Sequence, residues 1–209
     1  MKRKYIDGIS DTYIASAKEL REKAPNLNGS FAFAIANPSS GSVSPYNLTI
    51  AYADNAVENG AEISLNTAVL SMRREKGRIV AVETNRGTVY PEIVVNASGV
   101  FADVVAELAG DRFFTIHPRR GTNSILDRKC GARFAAIGSV VGAKGTGSHT
   151  KGGGIVHTAH DNLLVGPDAV ETFERENTET SAESIARVFA KQRITMPSLS
   201  ERDIITYFT

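Results

Sequence analysis

Apolar side chains along this chain recur with a period of either two or about three and a half, and glycine- and polar-rich runs separate one pattern from the next. Ile9, Tyr13, Ile14, Ala17 and Leu20 are spaced for a helix over residues 9–24 that stops before Pro25. Residues 30–35 alternate large and small, which predicts a strand with Phe31, Phe33 and Ile35 on one face. Ser44-Pro45 then opens a helix through Leu48, Tyr52 and Ala56 to a stop at Gly60. Ile63 and Leu65 begin a strand. Residues 69–74 and 78–84 form a hairpin over Glu75-Lys76-Gly77, and Asn85-Arg86-Gly87 makes a second turn.

Ile93, Val94 and Val95 form an unbroken β-branched run, which predicts a central strand covered on both faces. Side chains then shrink through Asn96-Ala97-Ser98-Gly99. A helix follows with Val100, Val104, Val105 and Leu108 on one face, closed by Gly110. Small residues between a buried strand and a helix N-terminus let a ligand approach the backbone, and in open α/β sheets this is where ligands sit. The same order also punctuates any α/β unit, so spacing alone leaves a plain turn as an equal reading.

After Gly110 the pattern predicts strands over 113–117 and 124–126 around a tight basic corner, Pro118-Arg119-Arg120-Gly121. Residues 155–158 and 163–165 read as strands around the turn 160–162. Seven glycines lie from Gly138 to Gly154, with Lys144, His149 and Lys151 among them, the texture of a ligand-covering loop. Residues 171–180 are acidic, polar and expected to be exposed. Thr180-Ser181-Ala182-Glu183 reads as a capping box before a helix that buries Ile185, Val188 and Phe189, and residues 203–208 form a last strand.

Twenty-four basic and 23 acidic residues leave a net charge of +1, which argues against a nucleic-acid footprint or a polybasic membrane anchor and makes a small molecule the default partner. The single cysteine, Cys130, cannot close an intramolecular disulfide. With no apolar run of membrane-span length and no signal core behind Met1-Lys2-Arg3-Lys4, the expected location is cytoplasmic.

Several apparent motifs fail on spacing. Gly142, Gly145 and Gly147 yield no G-x-x-x-x-G-K-[ST] string, and Thr150 occupies the third glycine position of G-x-G-x-x-G. His157 and His160 fall on opposite faces of a strand and turn, so a shared metal is not supported. Ser44 and Ser98 lack evident histidine and carboxylate partners, and Cys130 reads as a small buried hydrophobe. Arg119 and Arg120 are either a solvated bend or a fork for a carboxylate or phosphate, with only one able to face a given pocket.

The strings PNLN (25–28), SSGSVSPYNLTIAYADNAVENGAEI (39–63), VVNASGVFADVVAELAG (94–110), HPRRG (117–121) and DNLLVGPDA (161–169) together resemble FAD-dependent oxidoreductases of the D-amino-acid oxidase and glycerol-3-phosphate dehydrogenase superfamily. That resemblance implies an α+β chain: an α/β-like remnant of an FAD-binding domain over residues 44–110, and a mixed, largely antiparallel substrate sheet with helices on one face over 1–43 and 111–209. It places Val69 near the adenine and Asn96, Ala97, Ser98 and Gly99 against the dinucleotide. Arg119, Arg120 and His157 are the implied substrate contacts, and His149 and His157 the candidates for a base that the sequence does not name.

The implied reaction is hydride removal from a small anionic hydroxy substrate, glycerol 3-phosphate first and a 2-hydroxyglutarate-type hydroxy acid or an amino acid second. Three departures from the family pattern qualify it: no strand-G-x-G-x-x-G-helix unit is present, the glycine-containing segment expected after the strand that ends at Thr209 is absent, and Asp161 stands where relatives tend to have glycine. The expectation is therefore a central piece of a longer enzyme, weak in FAD binding and inactive alone, with an uncovered apolar face able to pair two copies. The rival expectation is a non-catalytic module whose sheet binds a partner chain or small anion.

Overall fold

The computed structural model describes residue 8, residues 10–139 and residues 153–209; Ile9, Lys144, His149, Lys151 and most of the glycine-rich run lie outside these. In chain order the elements are β1 (Tyr13–Ser16), α1 (Ala17–Lys23), β2 (Phe33–Ala36), α2 (Pro45–Glu58), β3 (Val69–Glu75), β4 (Arg78–Thr84), β5 (Gly87–Val89) and α3 (Ala102–Leu108). They continue with β6 (Arg119–Arg120), β7 (Asn123–Leu126), β8 (Ile137–Gly138), β9 (Gly154–His157), β10 (Leu163–Gly166), β11 (Val170–Glu171), α4 (Ala182–Gln192) and β12 (Ile204–Phe208). The fold is α+β with antiparallel pairing in the ladders whose register is defined.

The chain divides into two compact units, Met1–Pro45 with Arg120–Val170 and Thr178–Thr209, and Tyr46–Arg119 with Glu171–Asn177. In the first, alternation puts Leu126, Ile155, Leu163 and Val165 on the covered face of a sheet ordered β12-β7-β10-β9-β8. Helix α4 closes that face with Val188 and Phe189, and Ile185 packs at the edge. Its cap is Ser181, whose side chain accepts from the Ser184 N–H, one residue later than the capping box predicts. Cys130 is fully buried in this core, as a small hydrophobe would be, and burial pushes its thiol up.

The helix expected over 9–24 forms only from Ala17. Tyr13–Ser16 is extended and pairs antiparallel with Phe33–Ala36, and Ser16 caps α1 by accepting from the Glu19 N–H. Aromatic and β-branched residues facing a ready partner strand favour pairing over the first helical turns.

In the second unit, α2 and the β3-β4-β5 meander follow the pattern closely. Lys76 and Gly77 both take positive φ, the geometry of a two-residue hairpin turn. Three expected strands do not join a ladder. Ile63 and Leu65 are exposed, residues 113–117 are unpaired with Phe113 exposed, and residues 93–95 run without regular pairing with Ile93 and Val95 each 81% exposed. A strand covered on both faces needs neighbours along both edges and layers above and below. The described residues provide neither for 93–95. Helix α2 likewise has no buried residue, although Leu48, Tyr52 and Ile50 are apolar.

Candidate functional site

The small residues after Val95 build a turn that holds itself by local hydrogen bonds. The Asn96 side chain accepts from the backbone N–H and hydroxyl of Ser98 and donates to the Ala102 carbonyl at 2.8 Å. Gly99 has φ +56°, a left-handed value that favours glycine, and a Cβ built there would meet nothing within 4 Å. The turn therefore presents bare backbone on an open side. Residues 99–101 tighten into a 3-10 turn, and α3 follows with Ala106 buried. Helix α3 packs on β3, where Arg74 donates to the Ala109 and Gly110 carbonyls at 3.1 and 3.0 Å and so satisfies the helix C-terminus.

The N-terminus of α3 is already taken by a carboxylate. Asp103 is fully buried and accepts from Arg175 at 2.6 and 3.0 Å, from the Ile116 N–H at 3.1 Å and from the Val104 N–H at 2.9 Å. The Arg175 guanidinium, then the Ile116 N–H, hold this carboxyl far below the usual carboxylate range against the opposing effect of burial. Its folded pKa lies below its unfolded value, so its stabilisation is present above about pH 4 and is lost as pH falls towards the folded value. Asp103→Asn should lower the melting temperature at neutral pH and remove part of the loss that wild type shows below about pH 4. Circular-dichroism melts of both chains across that range test this; parallel curves would count against the assignment.

Of the residues that the sequence singles out, Val69, Asn96, Ala97, Ser98, Gly99 and Arg119 fall in the unit built on Tyr46–Arg119, and Arg120 and His157 in the other. Val69 begins β3 opposite Thr84 and is 38% exposed. Arg119 and Arg120 do not form the expected corner but a short strand, β6, paired with β11; Arg119 is exposed and Arg120 half-buried. His157 ends β9 half-buried, with Nε2 3.7 Å from Asp161, and His160 stands exposed in the following turn. Asp161 takes φ +62°, a value that suits the glycine its resemblance suggests. A cleft of about 720 Å³ in the first unit is lined by Phe31, Phe33, Phe134 and Ile137 together with the linked side chains of Tyr13, Glu19 and Lys23.

Asp103 and Arg175 escape sequence reasoning. An acidic residue in a first helical turn reads as an ordinary helix end, and Arg175 sits 72 residues away in a stretch expected to be exposed. The one available signal is a single arginine within the acidic run Glu174-Arg175-Glu176.

The family described as FAD dependent oxidoreductase matches residues 2–209. A glycerol 3-phosphate dehydrogenase of Caloramator mitchellensis is 30% identical over 202 residues, covering 97% of this chain and 41% of that protein. The L-2-hydroxyglutarate dehydrogenase of Escherichia coli is 33% identical over 122 residues, covering 57% of this chain and 28% of its own. The glycine oxidase structure from Bacillus cereus superimposes with a TM-score of 0.78 at 25% identity, over all of this chain and 53% of that one. The chain thus spans about half the length of its relatives or less. With a family match over nearly its whole length and the fold to go with it, the chain belongs to the FAD-dependent oxidoreductase family.

Proposed function

We propose that this chain supplies the middle of an FAD-dependent dehydrogenase acting on a small anionic hydroxy substrate, with glycerol 3-phosphate as the leading candidate. The observation that carries the substrate is the Caloramator relative, which aligns over nearly all of this chain. When bound, FAD supplies the acceptor for the hydride. Small side chains and the open flank of Gly99 fit residues 96–99 as a backbone wall for the dinucleotide. The chain contains no G-x-G-x-x-G string for the pyrophosphate. One of Arg119 and Arg120 would hold the substrate anion by a forked, charge-assisted contact. Among the described residues, His157 is the candidate to take the hydroxyl proton.

A hydroxy-acid substrate is the second reading, favoured by the Escherichia coli relative. Substrate binding can be read without turnover. In amide spectra of the labelled chain, glycerol 3-phosphate should shift residues 119–121 at lower concentration than L-2-hydroxyglutarate, and glycine should shift them least. Arg119→Met with Arg120→Met should weaken that response about tenfold or more, since a hydrogen bond to a charged group contributes about 1.5–3 kcal/mol. No shift with any of the three compounds would remove the anionic-substrate reading and favour a non-catalytic module.

A further inference from the structure

The turn assigned to the dinucleotide is held from behind by a residue remote in sequence. Neither Ser98, before the 3-10 turn, nor Phe101, before α3, makes a side-chain capping bond. Helix α3 has seven residues, too few to persist in water unaided. The Asn96 bond to the Ala102 carbonyl holds the junction from the turn side, and the helix side needs a second hold. Arg175 is in position to provide it. Its Nη1 donates to the Val100 carbonyl and to Asp103 Oδ1, its Nη2 donates to Asp103 Oδ2, and its guanidinium carbon lies 5.7 Å from the Phe101 ring centroid. Asp103 extends the hold to Ile116 through that residue's N–H. The segment carrying Arg175 is itself tied down, because the Thr172 N–H donates to the Pro118 carbonyl at 3.2 Å.

We propose that Arg175 is the positioning residue of the 98–103 turn: one guanidinium grips the Val100 carbonyl, both Asp103 oxygens and the Phe101 ring, and so sets the backbone offered to the cofactor. The assignment rests on the cofactor reading of residues 96–99 for its purpose, but not for its geometry. Lysine is a poor substitute. A compact ammonium can neutralise Asp103, but it has no planar fork to engage both carboxylate oxygens and the carbonyl together. Sequence distance gives the grip a second property: the excursion 171–177 must be in place before the turn is rigid.

Amide hydrogen exchange on the 209-residue chain tests the proposal, comparing wild type with Arg175→Met and Arg175→Lys. In Arg175→Met, amides 99–104 should exchange at least about tenfold faster while those of β4 stay within about twofold of wild type, the signature of local opening. Arg175→Lys should recover protection within α3 but leave 99–101 fast. Equal acceleration in β4 would mean a general loss of stability and would overturn the positioning role, as would unchanged exchange at 99–104. No flavin takes part in this experiment. A negative result therefore overturns the grip alone, and the cofactor reading stands or falls on flavin binding measured separately.

Discussion

Gly131→Ala should cost the first unit at least about 3 kcal/mol, the upper end of what overpacking a well-filled interior usually does. A Cβ at Gly131 would lie 1.9 Å from the Asp161 carbonyl oxygen and 2.8 Å from its carbon. Both are backbone atoms, so no side chain can swing aside. The obstructed segment is the turn between β9 and β10, where the Thr158 N–H donates to the Asn162 carbonyl at 2.9 Å and Asp161 is held left-handed. On the other side of Gly131 is Cys130, fully buried in the core with Leu126 and Phe134. Relief in either direction must break the hairpin turn or open that core. Gly29→Ala is the control, since a Cβ there meets nothing within 4 Å. Urea denaturation of the three chains decides the matter: Gly29→Ala should match wild type, and a Gly131→Ala midpoint equal to theirs would show that the packing at the turn is not as described.

The parts of the fold legible in the sequence are those whose partners are near in the chain or whose pattern is redundant. Val188 and Phe189 declare a buried helix face by spacing alone, and the sheet beneath supplies the apolar residues that the pattern demands. Lys76-Gly77 declares its hairpin through local backbone preference. Residues 93–95 declare burial just as clearly, yet remain uncovered, because apolar β-branched side chains specify that a strand wants neighbours and not which residues provide them. Tyr13–Ser16 fails for the opposite reason. Its helical spacing is real, but a strand partner twenty residues on outcompetes it. The site divides in the same way. Asn96 to Gly99 stand out by size, whereas the Asp103–Arg175 pair has no periodicity and becomes visible only when the fold brings the two together.

The same buried pair bears on the cofactor. The purified 209-residue chain should carry no stoichiometric flavin, and added FAD should wash off during gel filtration. A dinucleotide is gripped mainly at its pyrophosphate, by N–H groups and the positive end of a helix dipole behind a glycine-rich turn. This sequence has no G-x-G-x-x-G string. The helix that follows Gly99 cannot stand in for it, since the Asp103 carboxylate already accepts the Val104 N–H there. What remains, under the proposed cofactor reading, is a wall of bare backbone at residues 96–99, which would orient a flavin nucleotide more than hold one. Two or three missing charge-assisted hydrogen bonds, at about 1.5–3 kcal/mol each, amount to about a hundredfold or more in Kd. The flavin-to-protein ratio after incubation with excess FAD and gel filtration gives the answer. A ratio near unity would show that the wall alone anchors FAD and that the pyrophosphate argument is mistaken for this chain.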